Sequence, residues 1–325
     1  MSHPVRAAIA KAADALAQAG IDCARTDAEL LAAHAAGTER GRLALVDSPE
    51  ASFFDRLEAA VVARAQRIPL QHITGRAAFG PTDLRVGPGV FIPRPETEAL
   101  LEWALAQDLP ASPVILDLCT GSGALAVALA DALPGARVIA VDDDAAALDY
   151  ARRNAAGTAV EVVAGDVTDP GLLPDLVGAV NLVVANPPYI PEGAELEPEV
   201  AQHDPAHALF GGADGMAVIV PIVARAAHWL AAGGLLAIEH DDSTAQATVA
   251  EIAALPAPGS LGCCPAAGAF TEITAHRDLT GRPRYVTARR SDPGNGSGGQ
   301  ERSDPGNGSG GQERSDPGNG SGGQE

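Results

Sequence analysis

The chain has 325 residues, of which 46% are hydrophobic but only 3% aromatic, which is apolar surface enough for a sizeable core and excludes wholesale disorder. Acids outnumber bases 42 to 22, and Lys11 is the only lysine. A formal charge of −20 repels phosphate backbones over most of the surface, so a nucleic-acid coat protein is excluded and no stable nucleic-acid partner is expected.

The four cysteines, Cys23, Cys119, Cys263 and Cys264, form no C-x-x-C pair and have no histidines at zinc spacing. They predict neither a disulfide framework nor a structural metal, and fit a reducing cytoplasm. Arg6, Lys11 and Asp14 interrupt the Ala-rich N-terminus, and no run of about 18 uncharged apolar residues occurs, so neither a signal peptide nor a membrane span is expected.

Residues 1–70 read as a small helical domain. Val5, Ile9, Ala13 and Leu16 recur at helical spacing up to Gly20, Thr26 with Glu29 forms a capping-box pattern, and a third run starts near Ser52 and stops at Pro69. Between residues 71 and 98 the alternation of Leu84, Val86, Val90 and Ile92 predicts a hairpin, followed by the Pro-rich connector Ile92-Pro93-Arg94-Pro95-Glu96-Thr97-Glu98.

From Val114 a strand, glycine turn and helix repeat. Strands are predicted at Val114–Leu118, Val138–Val141, Val160–Val163, Leu182–Ala185 and Leu235–Glu239, and helices at Ala124–Leu133, Ala145–Asn154, Ala217–Leu230 and Ala245–Ala254. Such alternation implies an α/β fold, a doubly wound parallel sheet with its site at the carboxyl ends of the strands, over residues 99–290. Residues 290–325 are three copies of Arg-Ser-Asp-Pro-Gly-Asn-Gly-Ser-Gly-Gly-Gln-Glu. They carry no apolar side chain to bury and predict a disordered tail over 291–325.

The first strand runs into Cys119-Thr120-Gly121-Ser122-Gly123, where glycines admit a ligand close to the backbone and a helix N-terminus offers free N–H groups. Alone this loop reads equally as a nucleoside site or a tight structural turn. Asp142 and Asp166 end the next two strands, where carboxylates meet a ribose and an adenine edge. The loop departs from G-x-G-x-x-G and lacks a Walker A lysine, which disfavours dinucleotides and ATP.

Asn186-Pro187-Pro188-Tyr189 follows the apolar run Leu182–Ala185. The Asn186 side-chain oxygen and the Pro187 carbonyl are placed to accept two hydrogens from one planar NH₂ group, with the Tyr189 ring to stack on it. A bare N-P-P tripeptide reads as a capped turn; the buried strand before it and the acidic strand ends upstream favour chemistry.

These segments together resemble class I S-adenosylmethionine-dependent methyltransferases that act on planar nitrogens, and more narrowly the PrmC/HemK protein-(glutamine-N(5)) methyltransferases. The resemblance spans about Arg6 to Arg290 and rests on Pro69-Leu70-Gln71-His72-Ile73-Thr74-Gly75, Phe91–Glu98, Asn186–Tyr189, Glu239-His240 and Asp278-Leu279-Thr280-Gly281-Arg282. It implies a Rossmann-like sheet behind a helical substrate-docking domain. It also implies transfer of a methyl group from S-adenosyl-L-methionine to the Gly-Gly-Gln glutamine of class 1 peptide-chain release factors. Adenine-N(6) methylation of nucleic acid and non-catalytic binding of the cofactor are the alternatives.

By position, the resemblance implies that Thr120, Gly121 and Gly123 cradle the cofactor's methionine part, with Asp117, Cys119 and Ser122 also in the cofactor site. Asp142 holds the ribose, Asp166 and Val167 flank the adenine, and Asn186 closes this cofactor set. Asn186, Pro187, Pro188 and Tyr189 grip the glutamine amide as the catalytic group, with Phe91 and Arg94 on the substrate side. Arg94 reads equally as a partner for a carboxylate, and Cys119 as a small buried loop residue. Val167 stands where family proteins often have an aromatic residue, and Asn181 where they often have Asp. His203, Asp204 and His207 read as solvated or capping rather than as a metal set, and Glu239-His240, near the expected site, as an ion-pairing or strand-end hydrogen-bonding group. Gly-Gly-Gln recurs at Gln300, Gln312 and Gln324, which reads either as chance within a Gly/Ser-rich repeat or as a tethered mimic of the substrate.

Overall fold

The computed structural model describes residues 3–256, 268–278 and 280–292. The predicted tail, Cys263, Cys264 and Leu279 lie outside the described residues. No described helix is long and apolar enough to cross a membrane.

The N-terminal part contains α1 (His3–Gln18), α2 (Ala24–Ala35), a 3₁₀ turn at Arg40–Leu45, α3 (Phe53–Ala65) and the short α4 (Leu70–Thr74). Val5, Ile9 and Leu16 of the predicted stripe are buried, while its third place is taken by Ala12 rather than Ala13. They pack with Leu31, Phe53 and Leu57 in a core separate from that of the sheet. The predicted capping box does not form: Cys23 holds the N-cap position with no side-chain cap. Glu29 is instead claimed by Arg25 and Arg40, at 2.7 and 2.9 Å.

The hairpin is shorter and earlier than its alternation predicts, pairing β1 (Arg76–Phe79) with β2 (Thr82–Arg85). Val86, Val90 and Ile92 lie beyond β2 and pack with Ala77 against Ala147. Their apolar spacing is set by that packing, not by a strand. The connector closes as a 3₁₀ turn, Pro95–Thr97, and leads directly into α5 (Glu98–Leu105), a helix absent from the sequence-based expectation.

The expected alternation follows as β3 (Val114–Leu118), α6 (Ala124–Ala132), β4 (Arg137–Asp142), α7 (Ala145–Asn154), β5 (Val160–Ala164) and β6 (Val180–Ala185). Then come α8 (Pro198–His203), α9 (Ile219–Trp229), β7 (Leu230–Glu239), α10 (Ala245–Ala254), β8 (Phe270–Arg277) and β9 (Pro283–Arg290). The strands form one seven-stranded sheet in the order β5-β4-β3-β6-β7-β9-β8. The five strands from β5 to β7 are parallel, but β9 and β8 are antiparallel, so the sheet is mixed rather than wholly parallel. The sequence hides β8 because it is an edge strand, exposed along most of its length and carrying Glu272 and Arg277.

Successive residues of the central strands feed opposite faces. Leu116, Leu118, Val183 and Ile238 meet α9 and Trp229 on one side, and Ile115, Leu182 and Val184 meet α5 and α6 on the other. Each such Leu, Ile or Val contributes about 1.5–3 kcal/mol on burial. Strand order reverses between β3 and β6, so the crevice for a ligand opens at their carboxyl ends.

Candidate active site

Both motifs singled out in the sequence leave the sheet at that crevice. The glycine loop follows β3 and Asn186 follows β6, and the two line one cavity of about 700 Å³. Asp117, Cys119, Thr120, Gly121, Ser122 and Asp142 line it on the loop side, with Asp166 and Val167 further along. Asn186, Pro187, Pro188 and Tyr189 line the opposite side, with Phe91 and Arg94 from the connector. Gly123 is the exception. It is the left-handed N-cap of α6, and its bare Cα lets α7 approach at Ala151.

The loop side is built on two carboxylates. Asp117 is fully buried at the end of β3, where its Oδ2 accepts from Thr120 Oγ1 at 2.5 Å and Ala126 N at 3.1 Å. Its Oδ1 is buried without a partner. Burial pushes its pKa up to about 7 against the pull of those two donors. Asp142 Oδ2 accepts from Gly121 N at 2.8 Å and Oδ1 from Asp144 N at 3.0 Å; burial again raises its pKa. Gly121 has φ +57° and open space where a Cβ would stand, so the loop presents bare backbone to the cavity. Cys119 shares the left-handed conformation, and burial among acids pushes its thiol pKa far up.

Asp166 behaves differently. Its carboxylate accepts from Thr168 N at 2.7 Å and its pKa is lowered by Thr168, so it is an exposed, charged turn-former at the cavity's edge. Val167 is buried beside it.

On the other side Asn186 Nδ2 donates to Thr97 Oγ1 at 3.1 Å. With the amide nitrogen so engaged, the side-chain oxygen is left as an acceptor. Tyr189 donates its hydroxyl to Glu239 Oε1 at 3.0 Å, and Glu239 is 1% exposed at the end of β7. Burial raises Glu239 to about 7, against hydrogen bonds from Thr97 and Tyr189 and the positive charge of Arg284. Its Oε2 has no hydrogen-bond partner. Glu239 thus tethers Tyr189 directly and steadies Thr97, which holds Asn186. The strand-end hydrogen bond expected of Glu239 is present. The role of Thr97 was not visible in sequence, because it sits 89 residues from Asn186; its place in the connector was the one available signal.

The Asn-Pro-Pro-Tyr backbone is fixed from behind. Ile190 N donates to Leu209 O and Gly211 N to Ile190 O, both at 2.9 Å. Gly215, at φ +78°, packs so closely that a Cβ would stand 2.3 Å from the Tyr189 carbonyl oxygen.

Arg94 takes the carboxylate partner that one of its two readings expected. Its guanidinium lies 4.8 Å above the Phe91 ring and pairs with the buried Asp204 carboxylate while still lining the cavity. His207 Nε2 lies 3.6 Å from Asp144. The segment between Tyr189 and Phe210 forms one cavity wall and is anchored to the helical part, because Glu199 of α8 receives Arg64 at 2.9 Å and Arg67 at 3.5 Å. Arg64 also holds the buried Asp27 at 2.7 Å.

A doubly wound sheet with a bare-backbone loop after one strand, an acid closing the next, and an acceptor-rich Asn-Pro-Pro turn across the switch point defines a methyltransferase of the class I architecture. Comparison with known protein sequences agrees. Residues 7–75 match the PrmC N-terminal domain family, and residues 88–209 match the methyltransferase small domain. The release factor glutamine methyltransferase of Mycolicibacterium smegmatis is 63% identical over 286 residues, covering 88% of this chain and 98% of that one. The Mycobacterium tuberculosis protein of the same name is 58% identical over 290 residues, covering 88% and 91%. A solved ribosomal protein L11 methylase from Lactobacillus delbrueckii aligns at 17% identity with a TM-score of 0.44, over 64% of this chain and 86% of that one. The chain belongs to the release factor glutamine methyltransferase family.

Proposed function

We propose that this enzyme transfers the methyl group of S-adenosyl-L-methionine to the side-chain amide nitrogen of the glutamine in the Gly-Gly-Gln loop of class 1 peptide-chain release factors, in the cytoplasm. The observation that carries this reading is the orientation of Asn186. Its nitrogen is spent on Thr97, so its oxygen and the Pro187 carbonyl form a pair of acceptors for one NH₂ group.

The loop side fits the cofactor. The orphaned, buried Oδ1 of Asp117 suits the ammonium of an amino acid, Asp142 suits vicinal ribose hydroxyls, and bare Gly121 leaves room for close approach. When bound, the sulfonium supplies an already activated methyl group. The remaining barrier lies with the amide, whose nitrogen lone pair is delocalised. Asn186 and Pro187 draw on its hydrogens, raising electron density on nitrogen and fixing its direction, and Tyr189 offers a face for the planar amide. Positioning of this kind is worth about 7–11 kcal/mol. No side chain has to remove the proton beforehand; it leaves to water. The helical residues 3–65 serve as the docking domain for the release factor, and Glu199 joins that domain to the cavity wall.

The test is mass spectrometry of purified release factor after incubation with the enzyme and S-adenosyl-L-methionine. One added methyl on the Gly-Gly-Gln glutamine, absent with Asn186→Ala, is expected. Cofactor binding without any methylated release factor would overturn the reading.

A further inference from the structure

The cavity takes a glutamine that follows two glycines, and the same chain carries that tripeptide three times beyond its last described residue, ending at Gln300, Gln312 and Gln324. We propose that the enzyme methylates its own tail, with Gln312 and Gln324 entering the cavity of the chain that carries them and Gln300 excluded by reach. This rests on the function proposed above.

The direction of β9 decides which glutamines arrive. Arg284, at its start, lines the cavity, and Tyr285 pairs with Glu239 at the cavity end of β7. The strand then runs away from the site, with Arg289 opposite Leu235. Six residues from Arg284 to Arg290 cover roughly 20 Å at about 3.4 Å each, so the chain leaves the body near Asp292 at the far end of the sheet.

From Asp292 the contour to Gln300 is at most about 29 Å, against roughly 70 Å to Gln312 and roughly 115 Å to Gln324. The first barely matches the straight line back through the protein and falls short of any path over its surface. The other two span that path with slack. A tethered segment of this length meets its own site at an effective concentration of order millimolar, which offsets the missing docking contacts of a true substrate. The two glycines before each glutamine carry no side chain, so the glutamine alone has to fit between Asn186 and Tyr189.

The transfer balances without any further reactant. The glutamine Nε2 forms a bond to the methyl carbon, the carbon–sulfur bond breaks with its electrons on sulfur to leave the thioether S-adenosyl-L-homocysteine, and one N–H proton goes to water.

Trypsin releases residues 291–302 and 303–314 as identical peptides, so three full-length chains are needed, each keeping one tail glutamine with the other two changed to Asn. Each is incubated with S-adenosyl-L-[methyl-²H₃]methionine, with purified release factor as a parallel substrate. One labelled methyl on the chains keeping Gln312 or Gln324, at a fraction independent of enzyme concentration, with little on the chain keeping Gln300, is expected. Unlabelled tails beside a labelled release factor overturn the self-methylation while leaving the proposed function standing; an unlabelled release factor overturns that function. Equal labelling of all three, rising with enzyme concentration, overturns entry into the chain's own cavity. A second readout needs no methyl donor: replacing all three glutamines by Asn should tighten release-factor binding, measured by calorimetry, and unchanged affinity counts against tail occupancy.

Discussion

Asn186 Nδ2 and Thr97 Oγ1 lie 3.1 Å apart across 89 residues of sequence, and that one bond decides which end of the Asn186 amide faces the cavity. Thr97 is 3% exposed, so no solvent competes for its hydroxyl. Thr97→Val removes the acceptor and leaves Asn186 free to rotate. A buried hydrogen bond of this kind is worth about 1–3 kcal/mol, so kcat should fall roughly 5- to 150-fold. Thr97→Ser should restore most of it, and cofactor affinity by calorimetry should be unchanged in both. Equal kcat for all three proteins would remove Thr97 from the positioning of the amide.

Glu239 makes this arrangement dependent on pH. Its ionised form can only accept, which fixes the Tyr189 hydroxyl as a donor. Its protonated form carries a competing donor and loosens that order. With a pKa pushed up to about 7, kcat should climb as pH rises through 7 and level off above it. Glu239→Gln should lower kcat and flatten this limb, because its side chain no longer titrates. A pH–kcat profile of both proteins, with substrates saturating, checks the point; an identical limb in the variant would assign the titration elsewhere.

Asp117 predicts a stability effect of opposite sense. Its folded pKa of about 7 lies well above the ordinary aspartate value of 3.8, so the folded chain prefers the protonated acid. That preference stabilises fully below about pH 4, is lost progressively as pH rises towards 7, and is gone above it. The swing is on the order of a few kcal/mol. Asp117→Asn does not titrate, so its Tm relative to the unaltered chain should rise steadily between pH 4.5 and 7.5 without cofactor. The comparison cancels the half-buried His72 and the buried His240, whose lowered pKa values pull the other way. A constant difference across that range would contradict the burial cost assigned to Asp117.

Much of this site was legible in the sequence because its chemistry is local. The run from Asp117 to Gly123 and that from Asn186 to Tyr189 each place their groups through one strand end, and one strand end can be read from one apolar run. Asp166 was less legible: it lies two residues past the end of β5 rather than at it, and Thr168, two residues on, takes its carboxylate. Glu239 was legible only as a strand-end group, and the ties of Thr97 and Glu239 to the turn were out of reach for another reason. Both residues come to Asn186 and Tyr189 from two other elements, the connector and β7, and no periodicity records a contact made across the sheet. β8 was lost because an edge strand with a charged face does not look apolar. The capping box failed where Arg25 and Arg40 outbid the helix N-terminus for Glu29.

Gly215 supports the Asn-Pro-Pro-Tyr turn from behind. A Cβ there would stand 2.3 Å from the Tyr189 carbonyl oxygen, and its φ is +78°. Gly215→Ala therefore has to displace the backbone of the Asn-Pro-Pro-Tyr turn and also adopt a left-handed conformation costing about 1–2 kcal/mol. Tm should drop, and kcat should fall at least tenfold at temperatures where the variant remains folded by circular dichroism. Gly193→Ala makes the control: it has a similar φ of +84° but nothing within 4 Å of its Cβ. It should lose a comparable strain energy with little change in kcat.

The ion cluster around Arg64 couples the helical domain to the cavity wall, and its two acids separate stability from substrate use. Arg64 is held by Asp27 within the helical part and by Glu199 from α8. Asp27→Ala leaves the buried guanidinium with only the partly exposed Glu199 for a charge partner, a loss smaller than the about 3–5 kcal/mol of a buried charge left wholly unpaired, and should act mainly on Tm. Glu199 is partly exposed, and Glu199→Ala leaves Arg64 still paired to Asp27, so its Tm change should be small. What it removes is the tie that fixes the wall segment against the domain proposed to dock the release factor. KM for the intact release factor should rise several-fold, while kcat/KM for a short Gly-Gly-Gln peptide, which has no second docking surface, should be unaltered. A parallel loss on both substrates would place Glu199 in the structure of the cavity itself and sever it from docking.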